Sequence, residues 1–164
     1  MKPISLTCEK VDNESQFDDY YIIKCDPSAV AWSGFSTGPD RNRLLDYFIS
    51  ILNSTKSIYL FKLGEELVGY SQVGYKNGSY EIEGYSVLSK YQHKGLGKEI
   101  INMTVKEIEN TNNGERITAW VSEINIPSIR CFQNNGFKIH EKAFEYRELK
   151  ALGRIDKFIL MFLK

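Results

Sequence analysis

Two clusters of residues have types and spacing suited to chemistry. The first is Gln92-His93-Lys94-Gly95-Leu96-Gly97, followed from Lys98 by a run with Ile101, Val105 and Ile108 on one helical face. Two glycines where a helix begins leave the backbone bare to a ligand. The first N–H groups of that helix have no internal partner and carry partial positive charge. Such a turn seats an anion, and a phosphate is the usual occupant. The second cluster is Glu81 and Glu83, two apart in an extended run, so both point to one face of a sheet. A carboxylate on such a face can act as a general base, taking a proton directly or through a water.

The glycine turn matches neither common nucleotide loop. A dinucleotide turn needs a third glycine, as in G-x-G-x-x-G, and none stands at that offset. A P-loop needs Gly-Lys followed by Ser or Thr, and Gly97-Lys98 is followed by Glu99.

The elements that must position these residues can be read in order. Ile4 to Val11 alternates as a strand, and Glu14 to Lys24 carries Phe17, Tyr20 and Tyr21 at helical spacing. From Asp26 to Asp40 the pattern dissolves into turn chemistry, with Trp32 and Phe35 either anchoring a loop or walling a substrate pocket. Asp40 can cap a helix striped with Leu44, Leu45, Phe48, Ile51 and Leu52. Ser57 to Leu63 and Leu67 to Tyr75 are strands, and Asn77-Gly78 turns tightly into the strand Tyr80–Leu88. A helix from Lys98 to about Asn110 and a strand from Arg116 to Glu123 come next. Asn125 can cap a short helix with Pro127 in its first turn, ending at Asn135-Gly136. Phe137 to Phe144 and Ile155 to Leu163 close the chain as a strand pair, joined by a polar link, Glu145 to Arg154, read as a flexible loop. The total is an α+β fold, a mixed sheet with helices packed on it.

The spacing Gln92-x-x-Gly95-x-Gly97 resembles the acetyl-CoA pyrophosphate loop of the GNAT acyltransferase superfamily. Downstream, Asn125-x-x-Ser128-x-x-Cys131-Phe132-x-x-x-Gly136-Phe137 is similar to a second segment of that family, in the right order. The order of elements fits over nearly the whole chain, so 1–164 is read as one GNAT domain. The resemblance implies a mostly antiparallel twisted sheet of about seven strands with about four helices. It also implies that the key strand and the later one near Trp120 splay apart, with pantetheine lying between them.

Carried onto this sequence, the resemblance places the backbone of Val87 and Leu88 against pantetheine, with an N–H near Leu88 polarising the thioester. It places the pyrophosphate on His93, Lys94, Gly95, Leu96, Gly97 and Lys98, beside Gln92. Asn125 is a cap or a pantetheine ligand, and Ser128 and Phe132 line the cofactor side. Glu81 stands where some members have the catalytic base, while Glu83 lies nearer the reacting centre. The family usually has Tyr at the position of Phe132, whose hydroxyl protonates the departing thiolate, and Phe cannot. Tyr85, Ser128 or a water could substitute, the thiolate could leave unaided, or catalysis could be lost. A covalent route through Cys131 is the remaining variant, against the usual inertness of buried helical Cys.

Composition narrows the partners. In 164 residues, 42% hydrophobic and 13% aromatic content points to a packed globular fold. Lys+Arg and Asp+Glu are 21 each, so bulk charge favours neither nucleic acid nor an anionic membrane. No stretch reads as a signal peptide or a bilayer span. Cys8, Cys25 and Cys131 have no metal or redox spacing, which points to reduced thiols in a cytoplasm, and with two histidines no metal site is expected. The expected function is an N-acetyltransferase taking acetyl-CoA and a small primary amine through a ternary complex, without a metal. The alternatives are a catalytically silent acyl-CoA sensor and a module binding another nucleotide. A homodimer is common in the family, but no residue here demands one.

Overall fold

A computed structural model describes residues 5–33, 36–111 and 115–163. Its strands are β1 (Leu6–Lys10), β2 (Ser57–Leu63), β3 (Glu66–Lys76), β4 (Ser79–Val87), β5 (Arg116–Ser122), β6 (Lys138–Leu149) and β7 (Arg154–Leu163). Its α-helices are α1 (Phe17–Cys25), α2 (Pro27–Ala31), α3 (Arg41–Leu52), α4 (Leu96–Thr111) and α5 (Ile126–Gln133). The strands form one seven-stranded sheet in the order β1-β2-β3-β4-β5-β7-β6. Every neighbouring pair is antiparallel except β4 and β5.

Local chemistry explains the turns and helix starts. Asn77 and Gly78 both have positive φ, 53° and 77°, the requirement of a tight two-residue hairpin turn. Asp40 accepts from the Arg43 N–H at 3.0 Å and starts α3, which buries Leu44, Phe48 and Ile51. The sheet is covered on both sides. α4 and α5 bury Ile100, Ile101, Val105, Ile108, Ile129 and Phe132 against one face. α1 and α3 bury Phe17, Tyr20, Ile23, Phe48 and Ile51 against the other.

Several expectations need adjustment. The segment 26–40 is not wholly irregular. Asp26 accepts from the Ser28 N–H at 3.0 Å and nucleates α2, a fifth α-helix too short to leave a periodic signature. α4 begins at Leu96 rather than Lys98. The polar link Glu145–Arg154 is largely strand: β6 runs to Leu149 and pairs with β7 to the register Leu149↔Arg154. β6 is an edge strand, where charged residues are tolerated and the alternation expected of a half-buried strand weakens. Ile4 and Phe35 lie outside the described residues. Among the described residues, no helix is long and apolar enough to cross a membrane.

Candidate active site

The site is organised by a bulge in β4. The register runs Ser71↔Tyr85, Gln72↔Gly84 and then Val73↔Ile82, so Glu83 is the extra residue. One inserted residue switches which face the side chains take. Tyr80 and Ile82 join the core under α4, and beyond the bulge Tyr85 and Val87 join it too. Simple alternation over the strand would have put Tyr85 and Val87 on the face of the two glutamates. The bulge instead turns them to the α4–α5 side, while Glu83 meets Gln72 and Lys56 beside α3.

β4 then parts from β5. The two pair only at Ser79↔Arg116, Tyr80↔Ile117 and Glu81↔Thr118, after which β5 continues with β7 alone. The expected splay therefore begins at Glu81. The Leu88 N–H donates to the Val68 carbonyl at 2.8 Å, so it is engaged with β3 and not free for a thioester. By the alternation of an antiparallel ladder, the main-chain groups of Ser86 and Gly84 face β3 like those of Leu88, and those of Tyr85 and Val87 face the gap. The Val87 carbonyl accepts from Ser28 Oγ and Gln92 Nε2, both at 3.1 Å, which ties α2 and the glycine turn to the strand end. Gln92 is thus a tether within the protein.

At the mouth of the gap, His93 and Gly95 have φ of 63° and 77°. Left-handed residues interleaved with ordinary ones turn successive N–H groups toward one side, which makes a concavity for an anion. It leads into the first turn of α4, at Leu96, Gly97 and Lys98. A Cβ on Gly95 would meet nothing within 4 Å, so its bare side is open. Gly97 has another task. A Cβ there would lie 3.3 Å from Cys131 Sγ and 3.6 Å from the Tyr85 ring, so this glycine lets α4 pack on β4 and α5. The Lys90 and Lys94 ammonium groups stand over the Tyr91 ring, at 5.1 and 5.6 Å from its centroid, and add positive charge near the turn.

On the α5 wall, Asn125 is a cap: its side chain accepts from the Ser128 N–H at 3.3 Å. The Tyr85 hydroxyl donates to Ser128 Oγ at 3.0 Å. Phe132 is 2% exposed and edge-packed between Tyr85 and Phe137, with centroids 5.6 and 5.0 Å away. Burial, and then the neighbouring Cys131, push the Tyr85 phenol above its ordinary value, so it stays protonated. The hydroxyl missing at Phe132 is therefore matched by one on the residue packed against it.

The opposite face holds a cavity of about 650 Å³ between α1, α2, α3, β3 and β4. Glu83 is at its edge, with one carboxylate oxygen accepting from Gln72 Nε2 at 2.9 Å and the other paired with Lys56 at 3.0 Å. Gln72 Nε2 also donates to the Tyr47 hydroxyl at 2.8 Å. Glu81 lies deeper in the strand, where burial and then the Glu83 charge raise its carboxyl above the ordinary value. Ser33, Thr37, Gly38, Pro39 and Asp40 line the cavity, so the loop does wall a pocket. Trp32 is 48% exposed and is not part of that wall. Sequence reasoning missed Tyr20, Lys24, Tyr47, Lys56, Tyr70 and Gln72. The signal for two of them was there: a tyrosine and a glutamine inside the apolar run of β3. Among the described residues, no group of three or more His, Cys, Asp or Glu is placed to hold a metal ion.

Residues 20–137 match the model of the Acetyltransferase (GNAT) family. The spermine/spermidine N(1)-acetyltransferase of Bacillus subtilis is 29% identical over 93 residues, which is 52% of this chain and 60% of that protein. The match thus spans less than two thirds of that relative. The fold superimposes on spermidine N-acetyltransferase from Vibrio cholerae, solved with CoA and spermine, with TM-score 0.79 at 14% identity over 96% of this chain and 94% of that one. It also superimposes on an aminoglycoside acetyltransferase in complex with coenzyme A, with TM-score 0.79 at 18% identity over 98% and 95%.

Proposed function

The chain belongs to the GNAT acetyltransferase family, and on that premise we propose that it moves an acetyl group from acetyl-CoA to a primary amine of a small molecule by direct attack in a ternary complex. The observation that carries this reading is the parting of β4 from β5 at Glu81. It leaves the Tyr85 and Val87 backbone facing a gap with the glycine turn at one end and, at the other, Glu81 where the strands part with Glu83 two residues on. The polyamine acetyltransferase relative adds support for an amine acceptor.

The residues fit acetyl-CoA as follows. The turn from His93 to Lys98 holds the pyrophosphate on main-chain N–H groups, with Gly95 leaving room. Pantetheine runs down β4, one of its amide carbonyls accepting from the Val87 N–H, which brings the thioester to Tyr85. The Tyr85 N–H donates to the carbonyl oxygen as negative charge builds there. Glu81, whose carboxyl burial raises above its ordinary value, takes the proton of the incoming ammonium. Glu83, anchored by Gln72 and Lys56, supplies negative potential where the amine arrives. The nitrogen then bonds to the carbonyl carbon, the C–S bond breaks, the Tyr85 hydroxyl protonates the thiolate, and the second proton that the nitrogen sheds restores the phenol, leaving a neutral amide and free CoA thiol. Cys8, Cys25 and Cys131 are free thiols, in keeping with a reducing compartment.

Phe132 favours one second reading, an acyl-CoA-binding domain that has lost catalysis. Calorimetric titration with acetyl-CoA, followed on the same sample by thiol release with a panel of amines, separates the two. Binding with amine-dependent release supports the transferase, and binding without release supports the silent domain.

A further inference from the structure

The cavity beyond Glu83 has donors that the transfer chemistry does not use. Lys24 and Tyr20 are four apart on α1 and both line it, with Tyr70 of β3 beside them. Lys24 Nζ donates to the Tyr70 hydroxyl at 3.1 Å and stands over the Tyr70 and Tyr20 rings, 5.1 and 5.9 Å from their centroids. Among the described residues no carboxylate pairs with this ammonium. Tyr20 is 0% exposed, and its hydroxyl has no hydrogen-bond partner among those residues. Leaving a buried hydroxyl unpaired is costly, and natural structures rarely do so without a reason. Tyr70 accepts from Lys24, so its own proton is free to donate. Two of these donors, the Lys24 ammonium and the Tyr70 hydroxyl, therefore stand at the cavity with one uncompensated positive charge, the Tyr20 hydroxyl is sealed behind them, and no acceptor among the described residues answers them.

The rest of the lining agrees. Its charged residues are Lys24, Asp40, Arg43, Lys56 and Glu83. Asp40 is occupied with the N-terminus of α3, and Lys56 with Glu83. The Tyr70 hydroxyl also lies 3.1 Å from where a Gly84 Cβ would stand, so the donor group sits close behind the strand residue that follows Glu83.

We propose that the acceptor is a small primary amine that also carries an anionic oxygen group, a carboxylate or a phosphate, held by Lys24 and Tyr70 while its amine faces Glu83. This rests on the transferase reading above. A polyamine has no group to satisfy these donors, and its second cation would be brought toward Lys24.

The test uses matched acceptors with the full chain and acetyl-CoA: an amino acid against its methyl ester and its decarboxylated amine, an amino-sugar phosphate against the free amino sugar, and spermidine. The anionic member of at least one pair should show kcat/KM about tenfold or more above its neutral twin, the size of one charge-assisted hydrogen bond. Which pair responds tells carboxylate from phosphate. Lys24→Met keeps the apolar stem and should bring that ratio near one, while Lys24→Arg should retain it. Tyr70→Phe should raise KM for the anionic acceptor more than for its neutral twin. Equal or better turnover of the neutral twins or spermidine overturns the proposal, as does a preference that survives Lys24→Met. If no amine is turned over, the transferase reading fails by itself. Calorimetry on CoA-saturated protein then still decides: tighter binding of the anionic twin supports the anion subsite, and equal binding removes it.

Discussion

Tyr85→Phe is the most informative single change, because it removes one oxygen and leaves the ring. The edge contact with Phe132, at 5.6 Å and 88°, needs no hydroxyl, so the walls of the gap should keep their shape. Stability should fall by about 1 kcal/mol, the net worth of the 3.0 Å bond to Ser128. That corresponds to a melting shift of roughly 2–4 °C for a chain of this size. If the hydroxyl protonates the departing thiolate, kcat should fall by about 10²- to 10⁴-fold, the span of general acid catalysis. Affinity for acetyl-CoA, measured by calorimetry, should stay near the parent value, because the main-chain donors are untouched. Initial rates of thiol release give kcat, and thermal unfolding gives the stability change. Adding Phe132→Tyr returns a hydroxyl to the same wall and should recover much of the rate. Because burial pushes the Tyr85 phenol above 10.0, the parent protein should show no loss of rate from this group below that pH. A Tyr85→Phe protein with kcat within about threefold of the parent and intact acetyl-CoA binding would refute the assignment.

Other perturbations probe the remaining parts. Gly95→Val puts a side chain into the open side of the anion seat and strains a residue with φ of 77°, so acetyl-CoA affinity should drop by about tenfold or more while the far-UV spectrum holds. Gly97→Trp would instead drive into Cys131 and Tyr85, so it should destabilise the fold as well as binding, as thermal unfolding would show. Glu81 acts when deprotonated and its carboxyl is raised, so kcat/KM should climb with pH through a value above 4.5, and Glu81→Gln should abolish that limb. Glu83→Gln removes a negative neighbour, so the limb should move to lower pH in a pH–rate profile. Asp26 caps α2 and binds the Ser89 N–H and hydroxyl, so Asp26→Ala should cost about 2 kcal/mol in denaturant unfolding. Burial alone would raise the Asp26 carboxyl, but the bonds from Ser89 and Ser28 outweigh it and hold it below 3.8. Its stabilising share is therefore present above that pH and is lost as pH falls through the lower folded value.

Much of the frame is legible in the residues because each signal is local. The Asn77-Gly78 turn, the Asp40 and Asn125 caps and the glycine turn before α4 each follow from the geometry of a few adjacent residues. Two features depend on pairing between distant segments and leave no local mark. One is the bulge at Glu83, which arises from the register against Gln72 and Val73 and decides which face Tyr85 takes. The other is β6, whose charged residues read as a loop until β7 lies beside them. The cavity beside Glu83 was invisible for a related reason. Lys24, Tyr47, Tyr70 and Glu83 come from four elements, and only the packing of α1 and α3 on the sheet brings them together.

Direct acetyl transfer from acetyl-CoA to an amine in a ternary complex is tested by initial rates of CoA thiol release with both substrates varied. Amine-dependent release with intersecting double-reciprocal lines is the expected result. Parallel lines would mean an acyl-enzyme, with Cys131 the nearest thiol, and would contradict direct attack. Release that no amine stimulates, from protein that binds acetyl-CoA, would contradict the transferase itself.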